Sequence, residues 1–172
     1  MSTGDIGESL VGAYMRHVEQ CSIVIYNSFF ADQQGEVDVV AVKPGKPDEP
    51  STVFLCEVTT HIDGMNPTLI PRVPGKLTRL RAFAELTFPD ENYVFQWWSP
   101  YVPWGARLNA FKRIQEEWAE EGRTFELIAN EDYTARIGEL IDRARATSST
   151  TNEPAFRMLQ VLTRLRGAKP AL

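Results

Sequence analysis

Two carboxylates stand where strand-forming residues should be apolar. Asp38 lies within Gly35-Glu36-Val37-Asp38-Val39-Val40-Ala41-Val42, and Glu57 lies within Val53-Phe54-Leu55-Cys56-Glu57-Val58-Thr59-Thr60. Both runs are rich in β-branched residues, the composition of a strand. Alternation puts Asp38 on one face with Val40 and Val42, and Glu57 on one face with Leu55 and Thr59. A charge on such a face is costly to desolvate unless it is paired or binds a metal. Two such acids brought together therefore call for a cation or a shared proton, and hard oxygen donors suit a divalent metal. The plain alternative, for either acid alone, is a frayed strand end in water.

Positioning these acids requires the two strands to be neighbours. Between them Lys43-Pro44-Gly45-Lys46-Pro47-Asp48-Glu49-Pro50 contains three prolines and one glycine. It cannot continue a helix or a central strand, so it reads as a hairpin loop. Upstream, Ile6, Leu10, Ala13/Tyr14, His17 and Val18 form one stripe of a helix running from Ile6 to about Gln20, with Asp5 near its start. Glu8 lies near that stripe, and spacing alone makes it a solvated first-turn acid favoured by the helix dipole. Ser22 to Phe30 reads as a strand, and Asp32-Gln33-Gln34-Gly35 as a polar turn into the Asp38 strand. A helix followed by three successive strands excludes simple βα alternation and predicts a mixed sheet.

Downstream, His61 to Pro74 reads as an irregular loop, with His61 a loop residue rather than a ligand. Gly75 to Leu86 is a helix with Leu77, Leu80, Phe83 and Ala84 inward. Arg72, Lys76, Arg79 and Arg81 make the most basic local cluster, just after the Glu57 strand, where a phosphate would need cations. A solvated helix face explains the same charges. Asn92 to Ser99 is a further strand, and Gln96 to Gly105 its aromatic, proline-broken exit, suited either to stacking bases or to covering a core edge. Ala106 to about Glu121 is a helix, Thr124 to Ala129 a last strand, and Asp132 to about Ala146 a helix. Thr147-Ser148-Ser149-Thr150-Thr151-Asn152 has the composition of a flexible linker. Phe156, Leu159, Leu162/Thr163 and Leu165/Arg166 then mark a terminal amphipathic helix that packs back, swaps between subunits or docks on a partner.

The helix acid in Gly7-Glu8-Ser9-Leu10, the Gly35-Glu36-Val37-Asp38 strand and Glu57-Val58-Thr59 together resemble the PD-(D/E)XK nuclease superfamily, over roughly the first half of the chain. The resemblance implies an α/β, restriction-endonuclease-like mixed central β-sheet flanked by helices, spanning residues 1–146. A linker and terminal helix, 147–172, would follow as a C-terminal tail. It implies Mg²⁺- or Mn²⁺-dependent hydrolysis of phosphodiester bonds, with Asp38, Glu57 and the Val58 carbonyl as metal ligands. Glu8 would support the metal through water, and Arg72, Arg79 and Arg81 would hold nucleic acid, DNA ahead of RNA. Thr59 stands where the family's usual lysine would be. Some relatives supply that lysine from the following helix, where this chain has Lys76. The competing expectation is a catalytically silent member that serves as a nucleic-acid-binding or assembly module.

With 172 residues the chain is one ordinary domain, long enough for a full core without staples. Its net charge of −5 is uneven, −9 up to Asp132 and +4 from Tyr133 onward. That balance neither demands nor excludes a polyanionic partner. Cys21 and Cys56 form no CxxC and no disulfide framework, so the expected compartment is the cytoplasm. His17 and Cys21 make only half of a zinc site, and a small buried residue on a core strand explains Cys56 without nucleophilic chemistry. No leader pattern opens the chain and no apolar run approaches the ~20 residues of a membrane span. Expected partners are nucleic acid and, through the terminal helix, a second copy or partner subunit.

Overall fold

The computed structural model describes residues 5–30, 35–61, 65–149 and 151–165. In chain order the elements are α1 (Ile6–His17), β1 (Ile23–Phe29), β2 (Glu36–Lys43), β3 (Thr52–Val58), α2 (Val73–Thr87), β4 (Asn92–Ser99), α3 (Ala106–Glu120), β5 (Thr124–Ala129), α4 (Glu131–Ala146) and α5 (Pro154–Leu165), with a 3₁₀ turn over Pro67–Arg72. The strands form one sheet in the order β1-β2-β3-β4-β5. β1, β2 and β3 pair antiparallel, and β3, β4 and β5 pair parallel. The mixed α/β sheet expected from the element order is therefore present.

Each face of the sheet carries its own core. Val40, Val53, Leu55, Phe95 and Trp97 meet Leu77 and Leu80 of α2 and Phe111 and Trp118 of α3. Val39, Ala41, Phe54, Cys56 and Trp98 meet Val11, Tyr14 and Met15 of α1, Leu140 of α4 and Phe156 of α5. The two crossover helices thus share one face, and the first and last helices the other. Alternation dictates this division, because odd residues of β3 and β4 point to α2 and α3 while even ones point to α1 and α4. Glu57, an odd position of β3, is consequently aimed at α2.

Several elements depart from the sequence reading. α1 ends at His17 rather than near Gln20; Ile6 is exposed, and Val11 and Met15 are fully buried. The reason is that α1 packs against β1 to β3 and against α4 and α5, so more than one stripe is covered. The segment before α2 is not an irregular loop throughout: it contains the 3₁₀ turn, and α2 begins at Val73, with Met65 and Val73 buried. Trp97 and Trp98 belong to β4 and the core, not to an aromatic exit. β3 stops at Val58, leaving Thr59 beyond the strand. Thr147 and Ser149, between α4 and α5, are pinned, since the Gln160 amide donates to their carbonyls at 3.0 and 2.9 Å. α5 packs back onto α1 and α4. The expected turn at Asp32-Gln33-Gln34, the linker residue Thr150 and Arg166 lie outside the described residues.

Among the described residues no strand pairs with β1 on its outer side, and Ile23, Ile25 and Phe29 of β1 are exposed. Among the described residues no helix is long and apolar enough to cross a membrane.

Candidate active site

The register Val39↔Cys56, Val40↔Leu55 continues by one step to bring Asp38 opposite Glu57 at the end of the β2–β3 ladder. The Val58 N–H donates to Asp38 Oδ2 at 2.7 Å, so this carboxylate takes the place of a ladder carbonyl where the pairing ends. Glu57 is 5% exposed. The Lys76 ammonium, one turn into α2, stands 3.0 Å from Glu57 Oε2 and donates to the Glu36 carbonyl at 2.7 Å. Lys76 therefore reaches the two acids from the following helix. Pro74 in the first turn of α2 and the burial of Val73 and Leu77 fix the start of that helix and hence the lysine's reach.

Lys76 is further held by Phe30, whose ring lies 5.5 Å from its ammonium and 4.7 Å from the Arg79 guanidinium. Two cations on one aromatic ring, beside two acids, keep positive charge at the mouth of the site. The Phe30 N–H donates to the Gly35 carbonyl (3.1 Å), and Gly35 has φ +110°, a left-handed value that suits glycine.

α1 docks its N-terminus on the same sheet end. Asp5 caps the helix by accepting from the Gly7 N–H and also accepts from the Thr60 hydroxyl at 3.3 Å. This contact aims Glu8 toward Asp38, whose charge, after burial itself, raises the proton affinity of Glu8. Asp38 is likewise pushed up, chiefly by burial, against the lowering effects of the Val58 N–H and Lys76. Burial and then the Asp38 charge push Glu57 up to about 8, with Lys76 opposing. Three carboxylates thus share a potential that one ammonium does not neutralise.

Two buried oxygens, Glu57 Oε1 and Glu8 Oε2, have no hydrogen-bond partner. Such orphans are expensive, and a hard cation with its waters would satisfy them. As the side chains stand, no group of three or more His, Cys, Asp or Glu among the described residues is close enough to hold an ion. Asp38 and Glu57 face one another across the end of the β2–β3 ladder, with Val58 next to Glu57 on β3.

The other residues singled out from sequence divide. Arg79 lies by the site over Phe30. Arg72 is exposed just before α2. Arg81 is not brought there: it pairs with Glu85 at 2.6 Å and lines a separate cleft with Thr52 and Asn92, at the opposite ends of β3 and β4. Thr59 turns to β4, its N–H and hydroxyl both meeting the Trp98 carbonyl at 2.9 and 3.3 Å. His61 is exposed. His17 lies 3.2 Å from Glu153 Oε2, stacks on Phe156 and makes no pair with the buried Cys21. Sequence reasoning missed the part of Phe30; an aromatic at a strand end, more than forty residues before the Lys76 and Arg79 it meets, carried no signal.

No family model matches the chain, and neither a curated protein nor a solved structure matches it at a significant level.

Proposed function

We propose that the chain hydrolyses phosphodiester bonds of nucleic acid, DNA ahead of RNA, with the aid of Mg²⁺ or Mn²⁺. The observation that carries this reading is the Lys76 ammonium delivered from α2 onto Glu57, opposite Asp38. Asp38, Glu57 and the Val58 carbonyl would hold the ion, with Glu8 acting through water. When bound, the ion would lower the pKa of a coordinated water and offset charge on the phosphate. The Lys76 ammonium would stand beside the reacting phosphate and stabilise negative charge developing there. Arg79, steadied by Phe30, favours approach of the polyanion. Labelled DNA and RNA incubated with Mg²⁺, Mn²⁺ or chelator test the reading: metal-dependent cleavage is expected, abolished by Asp38→Asn and lowered at least ~100-fold by Lys76→Ala. Cleavage that survives Asp38→Asn rejects it.

A second reading draws on the same ion pair. Lys76 is already satisfied by Glu57 and by the Glu36 carbonyl, so the pair can be a closed structural substitute for metal in a non-catalytic binding or assembly module. Under that reading Mg²⁺ or Mn²⁺ leaves the melting temperature unchanged and no cleavage occurs.

A further inference from the structure

The loop after β4 holds two aromatic rings outward on a backbone that is fastened at several points. Asn130 accepts from the Val102 N–H and donates to the Val102 carbonyl, each at 3.0 Å, and Val102 is fully buried. The Tyr101 carbonyl accepts from the Ser99 hydroxyl at 3.2 Å and from the Met65 N–H at 3.2 Å. Pro100 and Pro103 fix φ on either side. From this frame Tyr101 is 42% and Trp104 71% exposed. Rings held ready on a rigid backbone lose little freedom when a ligand stacks on them.

Two open clefts adjoin the indole. One, of about 520 Å³, is lined by Tyr101, Trp104, Glu131 and Thr134. The other, of about 270 Å³, is lined by Trp104, Lys112, Glu131 and Asp132. The register Val58↔Trp98 and Ser99↔Ala129 places this loop and Asn130 at the same edge of the parallel strands as Val58. The Trp104 indole itself lies beside Leu127 and Ala129 of β5, so with neighbouring strands roughly 5 Å apart it stands about two strands from Glu57.

We propose that Trp104 and Tyr101 form a stacking platform for unpaired nucleobases, so that the substrate is single-stranded or carries a single-stranded flank. The inference rests on the nuclease reading for its link to cleavage, but the binding stands apart from catalysis. Every base has a π-face for such a ring, whereas a paired duplex keeps its faces occupied. Glu131 and Asp132 disfavour a phosphate inside the clefts. They accept hydrogen bonds from exocyclic amino groups, so bases with an amino edge are preferred, and the phosphates run outside the clefts.

Trp104 can be read directly, because Trp97, Trp98 and Trp118, the other three of the four tryptophans, are buried. With chelator present and Asp38→Asn as background, a short oligo(dC) should quench the exposed tryptophan fluorescence and bind more tightly than oligo(dT) or a duplex of equal length. Trp104→Ala should weaken oligo(dC) binding at least about fivefold, and Trp104→Phe should retain most of it. Circular dichroism and melting should be unchanged, since the indole packs into nothing that the fold requires. Equal binding by wild type and Trp104→Ala, duplex binding as tight as single strand, or oligo(dT) matching oligo(dC) overturns the proposal. So does a Trp104-dependent dimer, which would make the rings a protein contact. Absence of cleavage with this binding intact would reject the nuclease reading alone.

Discussion

Glu57 is a buried acid whose partner arrives from another element, and its proton couples the site to the stability of the whole fold. Its folded pKa is raised from an ordinary 4.5 to about 8, so between these values the folded protein binds a proton that the unfolded chain releases. Stability from this group is fully present below pH 4.5 and is lost as pH rises through 8. Without divalent metal, the unfolding free energy obtained from urea titrations should fall across that window by an amount on the order of 1–3 kcal/mol, and Glu57→Gln should flatten the slope. Divalent metal requires the deprotonated carboxylate, so its stabilising effect should be larger at pH 8.5 than at pH 6, measured as a shift in melting temperature. A second residue-scale expectation concerns Thr59. Its hydroxyl faces the Trp98 carbonyl rather than Glu57, so Thr59→Lys should not restore cleavage to Lys76→Ala. Rescue in that double variant would show that a lysine at 59 can take the role after all. The pairing of Asp38 with Glu57 was legible from period-2 alternation and a two-proline-bounded loop. The failure at Thr59 has a local cause, since the strand ends one residue earlier and the pleat no longer dictates direction.

Among the elements, α1 depends on two glycines. A Cβ at Gly12 would lie 2.1 Å from the Tyr26 hydroxyl and 2.5 Å from its Cζ. That ring cannot retreat easily, because its hydroxyl donates to Glu153 at 2.7 Å. Gly12→Ala should therefore destabilise by about 1–3 kcal/mol in denaturant unfolding. At Gly7 the obstacle is the Thr60 methyl group at 2.1 Å, the tip of a side chain at the sheet end. Gly7→Ala should cost less stability but move Glu8, and the sensitive readout is metal affinity rather than melting. Sequence patterning located each α-helix and strand of the described residues, yet it misjudged how much of each was covered. An amphipathic stripe reports one buried face, and α1, wrapped by strands on one side and by α4 and α5 on another, buries Gly12 and Met15 as well. The 3₁₀ turn escaped notice because its two prolines read as loop, though Pro at its first position is compatible with a helical start.

At the scale of the molecule, the terminal helix expected after the linker packs back on α1 and α4. α5 contributes Phe156 and Leu159 to the core beside α1 and α4. Glu153, just before it, receives the Tyr26 hydroxyl and faces Arg16 at 3.7 Å. Removing residues 151–172 should lower the melting temperature by more than ~10 °C or leave an insoluble product, whereas the full chain should unfold in one transition. Composition suggested a flexible linker because Ser and Thr dominate it; the long-range hydrogen bonds from Gln160 to Thr147 and Ser149 were invisible at that level. The unpaired outer side of β1 has a different consequence, one of colloidal behaviour. Among the described residues β1 is an edge strand; it bears Ile23, Ile25 and Phe29 on exposed positions, has no lysine among its seven residues and offers its outer edge to any other extended chain. At high concentration or on partial unfolding the protein should self-associate through this edge into β-rich aggregates. Ile25→Lys should raise the solubility limit while leaving the melting temperature within a few degrees.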